Sequence, residues 1–282
     1  MFAIMGVTGK VGGAAARQLV ADGQPVRVIV RDAAQGRSWA AQGCEVAVAT
    51  LDDSRSLAEA FAGAAGVFAM LPPRFDPAPD FAGARTMIAS LSAALDTARP
   101  ERLVVLSTIG AETMQPNLLN QLGLLEAALA DLPARTSFLR AAWFMDNAAG
   151  DLAGARGGVI RSHLQPLDRA IAMVAAEDVG AMVATLLRES DAPRIVELEG
   201  ARVSPDDIAA AFARALGRPV RAEAVPRDGW EAEFRAAGMT NPLPRMQMID
   251  GFNEGWIEFE APSASIKGEV AVEVVVQRLV KG

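Results

Sequence analysis

The chain has 282 residues, 51% of them hydrophobic, and a formal net charge of −7 at pH 7. This length and apolar fraction fit a globular fold with one long domain, or one domain with a smaller appendage, and exclude a disordered chain. The negative charge gives nucleic-acid binding no electrostatic support, and a single cysteine, Cys44, excludes an internal disulfide scaffold.

No apolar run reaches membrane-spanning length, and no charged segment precedes the first apolar stretch. A cytoplasmic protein with no signal peptide and no membrane partner is therefore expected. Two scarcities bear on mechanism. There is no tyrosine, His163 is the only histidine, and the lysines are Lys10, Lys267 and Lys281. The usual groups for general acid–base catalysis are few, and no Cys/His cluster offers zinc ligands.

Phe2-Ala3-Ile4-Met5 is a short apolar run. Gly6-Val7-Thr8-Gly9-Lys10-Val11-Gly12-Gly13 follows, and Ala14 to Val20 reads as helix. Strand, glycine-rich turn and helix start follow one another, with G-x-x-G-x-x-G at Gly6, Gly9 and Gly12. Gly6 permits a tight turn, Gly9 lets the backbone approach a pyrophosphate, and Gly12 lets the helix pack on the strand. The free N–H groups and dipole of the helix start favour phosphate. The turn, including Thr8, Lys10 and Val11, is thus expected to hold a dinucleotide.

Asp22-Gly23-Gln24 stops the first helix, and Pro25 to Val30 forms a second strand followed by Arg31-Asp32. At this place an acidic residue binds a ribose 2′-hydroxyl, whereas arginine accommodates a 2′-phosphate. Arg31 comes first, and Lys10 offers a second cation near the same phosphate. NADP(H) is therefore favoured over NAD(H), with solvated surface cations as the plainer alternative.

A helix is expected over 34–42 with Trp39 on the sheet, a third strand over 44–49, a turn over 50–54 and a helix over 55–61. Asp52 is placed to contact an adenine amino group, while Asp53 or Ser54 caps the helix. Gly66 to Leu71 is the fourth strand, ended by Pro72-Pro73. Apolar strands alternating with helices indicate a parallel sheet covered on both faces. Leu71 and Pro72 then lie at its carboxyl edge as cofactor neighbours. A Pro/Asp-rich loop over 75–81 is expected to cover the site, before a long helix over 84–98.

The fifth strand, 102–107, brings the hydroxyls of Ser107 and Thr108 to the same edge, near where a nicotinamide would lie. Their plainer role is a turn that satisfies its own backbone. A helix over 117–132 and a sixth strand over 136–140 follow. Trp143, Phe144 and Asn147 then supply bulky groups for a substrate pocket.

Beyond this, strands are expected over 170–174, 194–198 and 220–225, with helices over 176–188, 205–216 and 228–237. Ser204, Pro205 and Asp207 form a helix-start signature, and Gly217 a stop. The Met-, Phe- and Trp-rich stretch 239–257 suits core more than pocket wall. His163 reads as a packed or surface residue before it reads as a catalyst.

The motifs G-V-T-G-K-V-G-G (6–13), V-R-V-I-V-R-D (26–32), T-L-D-D-S-R-S-L (50–57), V-F-A-M-L-P-P (67–73), V-V-L-S-T-I-G-A (104–111), F-L-R-A-A-W-F-M-D-N (138–147), M-V-A-A-E-D-V-G-A (173–181) and A-L-G-R-P-V (215–220) run through almost the whole chain. The sequence resembles the NmrA-like family, a branch of the atypical short-chain dehydrogenase/reductase superfamily. The resemblance implies an α/β doubly wound parallel sheet (Rossmann fold) with a smaller C-terminal α/β lobe. It places an NAD(P)-binding domain at 1–150 and a substrate lobe at 151–282, part of which returns to the main sheet.

Some members of that family are NAD(P)H-dependent reductases, including quinone reductases, and others sense the nucleotide without turning it over. Most short-chain dehydrogenases pair a tyrosine with a lysine, which a chain without tyrosine cannot do. Reductases of this branch often carry a lysine or histidine early in the helix before the sixth strand. Here that place falls near Leu122, between Asn120, Gln121 and the following apolar residues. The catalytic residues are left unassigned. Two readings stand: an NADPH-dependent oxidoreductase for a small apolar acceptor such as a quinone, and a redox sensor that regulates a protein partner.

Overall fold

The computed structural model describes residues 1–282. In the first half, β1 (Phe2–Ile4), β2 (Val26–Val30), β3 (Glu45–Val48), β4 (Gly66–Ala69), β5 (Arg102–Thr108) and β6 (Arg135–Ala141) alternate with α1 (Lys10–Ala21), α2 (Arg37–Ala40), α3 (Ser54–Phe61), α4 (Ala82–Ala98) and α5 (Asn120–Leu129). In the second half come β7 (Trp143–Phe144), α6 (Leu152–Arg156), β8 (Val159–Ser162), β9 (Ile171–Val174), α7 (Ala176–Arg188), β10 (Ile195–Glu199) and β11 (Ala201–Val203). The chain ends with α8 (Pro205–Leu216), β12 (Arg221–Ala224), α9 (Trp230–Ala236), α10 (Leu243–Glu254), β13 (Ile266–Lys267) and α11 (Val272–Lys281).

Eight strands form one sheet in the order β13-β10-β6-β5-β4-β1-β2-β3, and every neighbouring pair is parallel. This is the doubly wound α/β sheet that the alternating apolar strands imply. Strand order reverses beside β1: β2 and β3 build outward on one side, and β4 starts the other. In such sheets the crevice outside the carboxyl ends at this reversal is where ligands bind. Two elements from beyond residue 150, β10 and β13, lie in this main sheet. The remaining strands form a three-stranded layer, β11-β9-β7, and a pair, β12-β8.

One core cluster joins α1, α7, β9, α8, α9 and α10, and another lies under α3, α4 and α5 on the opposite face. The α1–α7 contact depends on small residues: a Cβ on Gly180 would stand 2.4 Å from Ala14 Cβ and 2.8 Å from Ala15 N. No helix is long and apolar enough to cross a membrane.

The helix expected over 34–42 forms as a 3-10 turn, Ala33–Gly36, and the short α2. Asp32 takes the Ala34 N–H at 2.8 Å, and Gly36 sits against Val46, so the chain tightens before it can become α-helical. The helix expected over 117–132 is shorter. Asn117 and Asn120 spend their side chains on the turn, Asn117 N donating to Asn120 Oδ1 and Leu119 N to Asn117 Oδ1, both at 2.7 Å. The capping box at Ser204 and Asp207 is present, and Gly217 ends α8 in the left-handed region at φ 66°. Met246, Met248, Ile249 and Phe252 of α10 are buried as core.

Candidate functional site

The glycine-rich turn leaves β1 at the reversal point. Gly6 has φ 68°, a conformation glycine adopts without strain, and the half-buried Met70 covers it, its sulfur 2.7 Å from where a Cβ would be. A Cβ on Gly12 would stand 2.3 Å from Met5 O and 2.6 Å from the Gly6 carbonyl, so α1 rests directly on the strand exit. At Gly9 the only close atom is Gly6 O, 3.3 Å from a Cβ, so its outer face is open. Gly9 is also the N-cap of α1 and supplies no side chain to the helix start. The first N–H groups of α1 therefore have no side-chain cap and lie at the positive end of the helix dipole. This cradle fits a diphosphate: backbone donors, no side chain in the way, and exposed Thr8 and Lys10 at its rim.

Around the cradle, Arg31 is exposed at the end of β2. Its neighbour Asp32 is committed to the Ala34 N–H, so the guanidinium is the available charge there. Asp52 is exposed, and hydrogen bonds from the Thr50 side chain and its own backbone hold its carboxyl below the ordinary value. Asp53 caps α3, accepting from Arg55 N at 3.0 Å and Ser56 N at 3.1 Å. Val11 is buried beneath the turn.

Three expected neighbours have side chains engaged elsewhere in this structure. Leu71 is buried in the core under α3 and α4, because it continues the inward alternation of β4; Met70 and exposed Pro72 face the edge instead. Ser107 is 4% exposed, and its hydroxyl donates to Glu126 of α5, not to the edge. Lys10 is held by Asp146, with Nζ 2.8 Å from Oδ1. Thr108 remains half-buried at the end of β5.

Ser107 belongs to an ionised cluster that the sequence does not announce. Arg140 of β6, 5% exposed, donates from Nε to Glu126 Oε1 at 3.0 Å and from Nη2 to Glu126 Oε2 at 2.8 Å. Its Nη1 also donates to Glu260 and lies 2.9 Å from Glu112 Oε2, out of line for a hydrogen bond. Glu197 of β10, the register partner of Arg140, accepts Glu260 N and Ala261 N. Burial pushes the Glu112 carboxyl above its ordinary value; Arg140 opposes this, and Glu260 and Glu197 add to it.

Trp143 and Phe144 are half-buried in β7, where Trp143 meets Phe252 of α10 edge-on, with ring centroids 5.1 Å apart. Asn147 is exposed. The loop over 72–81 reaches from the end of β4 to the segment between α9 and α10. Asp76 accepts Thr240 N at 2.9 Å, Thr240 Oγ1 at 2.9 Å and Asn241 N at 2.6 Å, and Arg245 lies over the Phe75 ring. Leu122 is a packing residue of α5, Asn120 Nδ2 donates to Thr113 O, and Gln121 is buried. His163 packs between Phe234 and Trp230, and burial pushes its pKa down while Glu233 opposes that. It belongs to the packing around α9.

Residues 6–190 match a family described as NAD(P)H-binding. No curated protein matches the chain. An NADPH-dependent quinone oxidoreductase from Escherichia coli, solved with NADPH, has the same fold, with TM-score 0.82, 21% identity and 99% of each chain covered. A triphenylmethane reductase from Citrobacter sp. superposes at TM-score 0.81 with 20% identity, over 100% of this chain and 99% of that one. A nucleoside-diphosphate-sugar epimerase from Staphylococcus aureus gives TM-score 0.79 at 17% identity, over 98% of this chain and 99% of that one. The fold is therefore shared by proteins described by different reactions, and the reaction must be argued from the site.

Proposed function

The chain belongs to the NAD(P)H-binding family, and from that premise we propose that it is an NADPH-dependent oxidoreductase acting on a small apolar acceptor such as a quinone. The observation that carries this reading is the cradle at Gly6, Gly9 and Gly12, with an uncapped helix start and the exposed Arg31 beside it. The α1 N–H groups bind the diphosphate, Arg31 takes the 2′-phosphate, and Asp52 contacts the adenine. Gly6 and Thr8 edge the diphosphate, Val11 supports the turn from beneath, Pro72 is a cofactor neighbour at the sheet edge, and Thr108 stands near the nicotinamide.

The bound nicotinamide supplies a hydride. The protein's part is to orient the acceptor against it, and this is where most of the rate arises. Trp143, Phe144 and Asn147 form the acceptor wall, and the loop tied down by Asp76 covers it. A quinone accepts the hydride readily, and water supplies the proton that completes the hydroquinone. No tyrosine is needed for that step.

A second reading, a redox sensor that regulates a protein partner, draws support from Leu122 and Ser107. The first is an apolar packing residue near the place where the resemblance implies that reductases often carry a lysine or histidine, and the second has given its hydroxyl to Glu126. NADPH oxidation followed at 340 nm against a panel of quinones separates the two. Acceptor-dependent oxidation supports the enzyme, and tight NADPH binding with no turnover supports the sensor. Titration of Arg31→Ala tests the cofactor: NADPH weakens about tenfold, the size of one charge-assisted phosphate contact, and NADH is unchanged. Equal weakening of both would remove Arg31 from the 2′-phosphate.

A further inference from the structure

Lys10 opens α1 from inside the glycine-rich turn, yet its ammonium is already engaged. Nζ donates to Asp146 Oδ1 at 2.8 Å, and Asp146 Oδ2 accepts the backbone N–H of Ala176 at 2.8 Å. Asp146 lies in the 3-10 turn Met145–Asp151, and Ala176 is the first residue of α7. One carboxylate therefore ties the turn to the start of the helix that packs on α1. The side chain of Lys10 is 54% exposed and that of Asp146 only 19%, so the lysine is the partner free to move. Asp146 cannot follow it without releasing Ala176.

We infer that Asp146 competes with the dinucleotide's diphosphate for Lys10 and thereby sets the affinity of the turn. This rests on the dinucleotide reading above. Any anion bound on the α1 N–H groups meets an ammonium already neutralised and a fixed carboxylate nearby. Lys10 leaves one anion to meet another, so its net contribution is small while Asp146 is charged. In this reading Lys10 serves the diphosphate, and Arg31 the 2′-phosphate.

The test uses the whole chain as wild type, Asp146→Asn, Lys10→Ala and the double variant. It measures binding of NADPH, of ADP-ribose, which has the diphosphate and no 2′-phosphate, and of 2′-AMP, which has the 2′-phosphate and no diphosphate. Asparagine keeps an oxygen for Ala176 N–H and removes only the charge, and a melting curve matching wild type checks that α7 stays capped. Asp146→Asn tightens NADPH and ADP-ribose about threefold, the scale of one partly exposed ion pair, and leaves 2′-AMP unchanged. Lys10→Ala changes NADPH binding little in wild type and weakens it about threefold in the Asp146→Asn background. The competition is overturned if Asp146→Asn binds NADPH equally or more weakly, if Lys10→Ala has the same effect in both backgrounds, or if 2′-AMP tightens as much as ADP-ribose. If wild type binds none of the three ligands, the dinucleotide reading itself falls and takes the competition with it. Binding in wild type that Asp146→Asn does not alter removes the competition alone.

Discussion

At the β1–β2 end of the sheet's carboxyl edge, the backbone makes the surface. Glycines strip the turn of side chains, α1 starts without a side-chain cap, and Arg31 stands exposed. At the β5–β6 end, side chains fill the space. Arg140 is buried among Glu126, Glu112 and Glu260, and Ser107 has joined them. The first end has spare donors and suits an incoming anion. The second has one cation and a surplus of carboxylates, so it has nothing to offer an anion and holds its own strands and loops together. Two ends of one edge thus divide an open, donor-lined surface from an internally paired support.

The largest effect comes from breaking the supporting end. Arg140→Ala leaves Glu126, whose side chain is 13% exposed, facing Glu112 and Glu260 without a cation. Removing one partner of a buried pair typically costs about 3–5 kcal/mol. Urea unfolding should show a loss of that order at pH 8 and a smaller one at pH 5, because protonation relieves an uncompensated carboxylate. A loss under 1 kcal/mol at pH 8 would mean that solvent already screens the cluster.

Breaking the binding end is next. Gly12→Ala puts a methyl 2.3 Å from Met5 O, a backbone atom that cannot step aside. Overpacking of this kind costs about 2 kcal/mol. The turn must move away from β1, so NADPH binding in a titration should be lost. A folded Gly12→Ala protein with wild-type affinity would show that the cradle is not where the diphosphate lies.

The two ends also differ in how far the sequence reveals them. The cradle is local: Gly6, Gly9 and Gly12 fall within one turn, and their spacing carries the geometry. The alternation of apolar strands and helices likewise carries the parallel sheet. The Arg140 cluster joins residues from 107 to 260, and no short pattern marks it. Lys10 and Asp146 pair across 136 positions, so a lysine in a glycine-rich turn reads as a phosphate ligand until the fold brings the carboxylate to it. The side-chain directions of Ser107 and Leu71 are hidden for a simpler reason. Side chains alternate along a strand, and a one-residue difference in where the strand ends decides whether a group faces the edge or the core. The short β11 and β13 carry too few residues for any period to show, and α11, with Val272, Val274, Val275 and Val276, has the β-branched content of a strand.

The smallest effect sharpens the contrast most, because its sign depends on the surplus of carboxylates. Burial raises the Glu112 carboxyl above its ordinary value, more than Arg140 lowers it. A carboxyl whose folded value is raised contributes its full share of stability below the unfolded value. It loses that share as pH rises through the folded one. Glutamine at 112 carries no charge at any pH, so Glu112→Gln should match wild type at pH 4 and exceed it at pH 8. With the Glu112 side chain 29% exposed, solvent screening limits the gain to under about 1 kcal/mol. Paired thermal melts at pH 4 and pH 8 read the difference. A variant less stable than wild type at pH 8 would show that the Arg140 contact outweighs burial and that Arg140 still has unspent charge. The β5–β6 end would then resemble the β1–β2 end, as a place where an anion could be held.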